Sequence, residues 1–212
     1  MKMSIRIVFL TSLFLLASML VFAQRPEVAV TVNEPFFDAA IDAVLAKGEP
    51  PFVELREGGN TNAECRETIR VAREMNGVRT AVRFRDGKIL VPVAFNGSYR
   101  FPVVGCVDFA GWAETAVELE FDATNQRVMA RARVLSVSLN GTAGVGKTLL
   151  APLVQTALDK KINPIELIRI DRLAFAFPLD QSSNIKVRAV GFRHVVQNGF
   201  LTIFLPYEIV RE

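Results

Sequence analysis

Residues Gly141 to Thr148 read GTAGVGKT, a full match to the phosphate-binding pattern G-x-x-x-x-G-K-[ST]. In a loop of that kind main-chain N–H groups cradle phosphates, so Lys147 would reach the terminal phosphates and Thr148 would hold magnesium. The surrounding sequence argues otherwise. A phosphate-binding loop is built on a buried parallel sheet whose strands are continuous apolar runs. The preceding segment RVMARARVLSVSL carries Arg131, Arg133, Ser136 and Ser138. A magnesium-binding Asp should end a separate apolar strand, but the nearest candidate, Leu167-Ile168-Arg169-Ile170-Asp171, contains an Arg and follows within a few residues. GTAGVGKT therefore reads as a glycine-rich connection from strand to helix with Lys147 exposed.

Other catalytic chemistry is thinly supplied. His194 is the sole histidine, and a Ser-His-Asp hydrolase would have to use it. No G-x-S-x-G elbow supplies a nucleophile, so His194 reads as a structural or solvent-facing residue of a strand. A zinc site would need a second His or a Cys cluster. Asp38, Asp42, Glu64, Glu67 and Glu74 are scattered and read as solvated surface. The expectation is a protein that is not an enzyme and needs no metal or cofactor.

The first 23 residues decide the compartment. Lys2 and Arg6 precede Ile7 to Phe22, a nearly unbroken apolar run, and Val21-Phe22-Ala23 offers small residues for cleavage before Gln24. The run is about 16 residues, short of the roughly 20 that span a bilayer. The reading is a signal peptide over 1–23, and an exported protein, periplasmic or extracellular. Without Lys2 and Arg6 the 25 basic residues fall to 23 against 22 acidic ones. No basic stripe remains to suggest nucleic acid. Cys65 and Cys106, the two cysteines of an exported chain, are expected to form a disulfide.

The remaining residues, 24–212, read as one α+β domain. Arg25 to Val32 alternates as a strand. Asn33 is an N-cap, and Phe36, Phe37, Ala40, Ile41, Val44 and Leu45 recur at helical spacing. Ala63 to Met75 suggests a second helix. Period-two segments follow at Thr80 to Arg85, Lys88 to Phe95 and Tyr99 to Val107, divided by Asp86-Gly87 and Asn96-Gly97, both hairpin signals. Thr115 to Phe121 and Arg127 to Leu139 form another hairpin, with a phase slip at Val134-Leu135 that predicts a bulge. Thr148 to Lys160 is helical, with Leu149, Leu153 and Val154 on its apolar side. Extended segments at Arg172 to Leu179, Ile185 to Val195 and Phe200 to Val210 close the chain.

Of 16 Phe, 13 follow residue 23. In LAFAFPL and FLTIFLPY both faces are apolar, whereas an antiparallel sheet normally keeps one wet face. Such strands lie between two layers, form an interface, or line an apolar cavity.

The order of these elements resembles the tubular lipid-binding superfamily and related bacterial envelope proteins. The resemblance is carried by VTVNEPFFDAAIDAVLAKG, the long antiparallel strands, the helix TLLAPLVQTALDKKINPIELI, and the closing strands LAFAFPL and FLTIFLPYEIV. It implies a curved, mostly antiparallel sheet wrapped around or packed on one or two amphipathic helices, enclosing a tubular apolar cavity for lipid. On this reading the chain binds a lipid or other apolar ligand between sheet and helix. Candidate lining residues are Phe36, Phe37, Ile41, Leu149, Leu153, Val154, Phe175, Phe177 and Phe204. The alternatives are a structural or assembly module of the cell envelope, with an envelope protein or the membrane surface as partner, and a nucleotide-binding protein using Gly141 to Thr148.

Overall fold

The computed structural model describes residues 25–46, 49–55, 65–101, 105–140, 152–157, 159, 163–178 and 184–211. The leader 1–23 and the GTAGVGKT segment lie outside them. The described elements are mostly antiparallel β-strands with few helices, in two sheets that curl.

The larger sheet is organised by three long strands, β7 (Lys88–Phe101), β8 (Gly105–Asp122) and β9 (Arg127–Asn140). At about 3.3 Å per residue, the 18 residues of β8 extend roughly 60 Å. β7 pairs with β8 from Ile89↔Val117 to Phe101↔Gly105, and β8 pairs with β9 from Ala110↔Asn140 to Asp122↔Arg127. β10 (Ile165–Arg169) lies outside β9. On the far side of β7 stand β6 (Arg83–Arg85) and β3 (Thr68–Ala72), with β2 (Phe52–Glu54) outside β3. A small hairpin, β4 (Glu74–Met75) and β5 (Val78–Arg79), joins β3 to β6.

Alternation gives this sheet one apolar face. Phe109, Ala113, Val117, Leu119 and Phe121 of β8 share it with Ile89, Val91 and Phe95 of β7 and with Val128, Ala130, Val137 and Leu139 of β9. The predicted phase slip is real. The β8–β9 register shifts between Glu114 and Thr115, opposite Ser136 and Val134, which leaves Leu135 as the extra residue.

The smaller sheet covers half of that face. Its spine is β14 (Phe200–Arg211), flanked on one side by β1 (Glu27–Asn33). On the other side run β12 (Asn184–Ala189) and β13 (Arg193–Gln197), with β11 (Ala174–Pro178) beyond β12. Two apolar clusters join the sheets. One gathers Val128, Ile170, Ala189 and Tyr207, and the other Phe84, Ile89 and Leu201. The Asn198-Gly199 turn stitches them further. Gly199 N donates to Phe84 O at 3.1 Å and Asp86 N to Asn198 Oδ1 at 2.9 Å. The other half of the face meets Leu153 and Val154 from the helical segment 152–157, which touch the cluster of Ile69, Phe95, Phe109, Ala113 and Leu139.

Two sequence expectations are corrected. Asn96-Gly97 is not a turn, because β7 runs straight through it. Gly97 is needed for space. A Cβ there would lie 2.8 Å from Phe109 Cζ and closer still to Thr68 O. The polar stretch read as a helix from Ala63 to Met75 is instead β3 and β4 where it is described. Thr68–Ala72 pairs with both β2 and β7, and ladder hydrogen bonds on both edges override a weak helical spacing.

Cys65 and Cys106 are joined, with Cα atoms 5.7 Å apart. The bridge ties the segment before β3 to the start of β8.

Gly97→Ala should lower stability by about 2–3 kcal/mol, the upper part of the usual range for overpacking a tight site, as read by urea unfolding. Opening the bridge with Cys65→Ser closes no loop in the unfolded chain and should cost about 4 kcal/mol in the chain-entropy account. Thermal unfolding with and without reductant checks this, the reductant leaving Cys65→Ser unmoved.

Candidate functional site

The nine sequence-predicted lining residues do not meet in one place. Leu149 lies outside the described residues. Leu153 and Val154 sit over the far half of the large sheet. Phe36, Phe37 and Ile41 belong to helix α1 (Glu34–Ala46), where Phe36 is 61% exposed while Phe37 sets its ring edge-on against Phe84 at 5.6 Å. Ile41 is half-buried. Phe175 and Phe177 lie side by side, 5.3 Å between ring centroids, on the open edge of the small sheet. Phe204 is on that sheet's outer face, with the Arg193 guanidinium 3.6 Å above its ring and Arg193 bound to Glu27 at 2.7 Å.

Helix α1 explains why its aromatics are so exposed. Asn33 caps it as the sequence predicts, Oδ1 accepting from Phe36 N at 3.2 Å. Glu34, Asp38 and Asp42 recur every four residues and so share one face. That face meets arginines of the large sheet and the small hairpin. Glu34 pairs with Arg85 and accepts from Phe84 N at 2.9 Å, Asp38 pairs with Arg83 at 3.2 Å, and Asp42 pairs with Arg73 and Arg79. No residue of α1 is buried. The helix is moored by charge, with the half-buried Phe37 its one aromatic packed against the core. Burial works to raise the pKa of Glu34, but the hydrogen bonds from Phe84 and Arg85 and the charges of Arg85 and Arg83 prevail and hold it below its ordinary 4.5.

What the fold does bring together is a cleft of about 420 Å³ between the two sheets. Ile89, Val117 and Leu119 of the large sheet face Val196 and His194 of β13, and the bulge residue Leu135 borders the same space. Gly87 and Lys88 stand at one margin, with Glu118, Glu120 and Arg133 along the strands. Register explains the placement of His194. It pairs with Ile203 of β14, whose side chain belongs to the inter-sheet core, so alternation turns the imidazole inward and Arg193 outward. The ring lies 5.7 Å from that of Phe192, and its nitrogens have no hydrogen-bond partner among the described residues. Burial lowers its pKa below the ordinary 6.5, so it is uncharged at neutral pH.

His194 was visible in the sequence but read as incidental. The signal that could have raised it is its place as the one ionisable residue in phase with Val196. The cleft's strand residues could not be separated from ordinary core by periodicity.

A second cleft, about 350 Å³, lies over Arg66, Thr68, Arg70, Asn96, Ser98 and Asp108. Two of its hydroxyls and one of its arginines are engaged. Thr68 and Ser98 hydroxyls both donate to Arg66 O, and Arg70 pairs with Glu49 at 3.3 Å. Among the described residues no group of three His, Cys, Asp or Glu could hold a metal, and no helix is long and apolar enough to cross a membrane. The strand that leads into Gly141 to Thr148, β9, is antiparallel to both its neighbours. Compared with protein-family models, curated proteins and solved structures, the chain matches none.

The mooring of α1 should depend on pH and charge. Because the folded pKa of Glu34 lies below its unfolded value, the contribution is present above pH 4.5 and lost as pH falls through the folded pKa. Amide exchange in 34–46, taken relative to the intrinsic rate at each pH, should accelerate on acidification while β7–β9 stay protected. In Glu34→Gln that exchange should already be fast at neutral pH and respond less to acid.

Proposed function

We propose that the chain is an exported, non-catalytic protein that binds a lipid or other apolar ligand, held between the two sheets rather than between sheet and helix. The observation that carries this reading is the inter-sheet cleft. Its volume of about 420 Å³ falls within the ordinary range for small-molecule sites, and its apolar walls of Ile89, Val117, Leu119 and Val196, with one imidazole between them and the charged Lys88, Glu118, Glu120 and Arg133 at the margin, combine apolar lining with polar groups that could orient a ligand. Export is supported by the leader sequence and by the Cys65–Cys106 bridge, which suits an oxidising compartment. Phe richness and the missing catalytic groups point the same way.

A second reading, an assembly module of the cell envelope acting through protein contacts, is favoured by a different observation. The inner face of the small sheet extends beyond its cover. Phe175, Phe177 and Ile209 are 47%, 55% and 58% exposed beside the edge strand β11. Unpaired edges and contiguous apolar surface are what a protein partner uses.

Native mass spectrometry and lipid extraction of the purified protein should reveal a bound amphiphile, and a fluorescent fatty acid should be taken up. Val196→Trp, which fills the cleft, should weaken uptake by about tenfold or more, whereas Phe177→Ser should leave it unchanged. Absence of co-purifying lipid together with absence of uptake would sink the ligand-binding reading.

A further inference from the structure

The cleft has a polarity as well as a size. Its apolar walls run along Val117 and Leu119 on one sheet and Val196 on the other, and its only inward titratable side chain from the small sheet is His194. The charged groups bordering it are Lys88 from β7, Glu118 and Glu120 from β8, and Arg133 from β9. Glu120 is matched by Arg131 at 3.5 Å. Lys88, Arg133 and Glu118 have no ion-pair partner among the described residues, which leaves the margin one positive charge in excess. On β13 itself Arg193 is turned to the other face and paired with Glu27.

Resting on the ligand-binding reading above, we infer that the cleft takes a single-headed amphiphile whose head is a carboxylate, the apolar body lying along Val117, Leu119 and Val196 and the carboxylate set against His194.

Three physical points lead there. Between the apolar walls the half-buried polar side chain is His194, the charged Lys88, Glu118, Glu120 and Arg133 being exposed at the margin, and this fits a ligand with one polar end, because a second polar group set among the apolar walls would be desolvated without a partner. An imidazole with two unengaged nitrogens can donate to a carboxylate oxygen, and that bond strengthens as the pair becomes charge-assisted. Lys88 and Arg133, both exposed at the margin, add only a weak, solvent-screened preference for an anionic head. In the empty cleft burial keeps the imidazole neutral, at little desolvation cost. A carboxylate beside it reverses that balance and raises its pKa, so binding takes up a proton. Affinity then rises as pH falls from about 8 to about 6, while the ligand acid is still ionised.

The test compares dodecanoic acid, dodecanol and methyl dodecanoate on the disulfide-intact protein by calorimetry and native mass spectrometry, with wild type and His194→Gln side by side. The acid should bind about tenfold tighter than the ester in the wild type, and more tightly at the lower pH. In His194→Gln the acid should lose that advantage and its pH dependence while the ester binds as before. Equal affinity for acid and ester in the wild type, or an unchanged ratio and pH profile in His194→Gln, overturns the inference and leaves ligand binding standing. If none of the three probes binds the wild type, the inference falls together with the reading it rests on.

Discussion

The structure depends on one constraint, the shared register of β7, β8 and β9, continuous from β7 to β8 and shifted once, at Leu135, from β8 to β9. Across Ile89↔Val117 and Val117↔Ala132 the three strands keep their apolar residues in phase, so a single dry face runs the length of an 18-residue strand. Such a face must be covered, since apolar area left in water costs roughly 25 cal/mol per Å². One cover does not reach. The small sheet takes the half near Ile89, Leu119 and Val128, and Leu153 and Val154 of the helical segment meet the half near Phe95, Phe109 and Leu139. The bulge at Leu135 lies between the two regions, where the long sheet changes partner. Leu135 also borders the cleft.

The small sheet shows the same logic from the other side. β12 and β13 are one strand in pairing terms, both laid against β14, interrupted at Val190-Gly191-Phe192. Gly191 is set close to Pro206, 3.1 Å from where a Cβ would meet the ring. The interruption sends Ala189 into one inter-sheet cluster and Val196 into the other. The apolar residues of LAFAFPL and FLTIFLPY that looked two-sided in the sequence are resolved differently along their length. Leu201 and Tyr207 are buried, Phe204 is shielded by Arg193, and Phe175 and Phe177 stay largely open. Against this apolar framework α1 is an exception, secured by carboxylates at 34, 38 and 42 facing four arginines rather than by burial.

Features governed by neighbours along the chain were legible. Asn33 caps α1, Asp86-Gly87 turns β6 into β7 with Asp86 at φ 51° and Gly87 at φ 72°, and the slip at Val134-Leu135 is a bulge. Asn96-Gly97 shows where this logic fails. The same dipeptide that can turn a hairpin can also make room for a ring on a neighbouring strand, and only the position of Phe109 tells the two apart. The segment before Met75 was misread for a related reason, since β3 is extended because β2 and β7 hold it on both edges.

The sequence by itself determined the strand periods, the caps and turns, the one-sided face of the long hairpins and the presence of two cysteines able to bridge, because each is written in residues a few positions apart or in composition. Only the tertiary structure decided which apolar residues became core and which became cleft. That choice depends on how far one sheet overlaps another. It depends too on the register of His194 opposite Ile203, 9 residues further along the chain on a strand returning from the Asn198-Gly199 turn. Phe175 and Leu201 are equally apolar as letters. One lies on the overhanging edge and the other beneath the second sheet, and the difference is one of place.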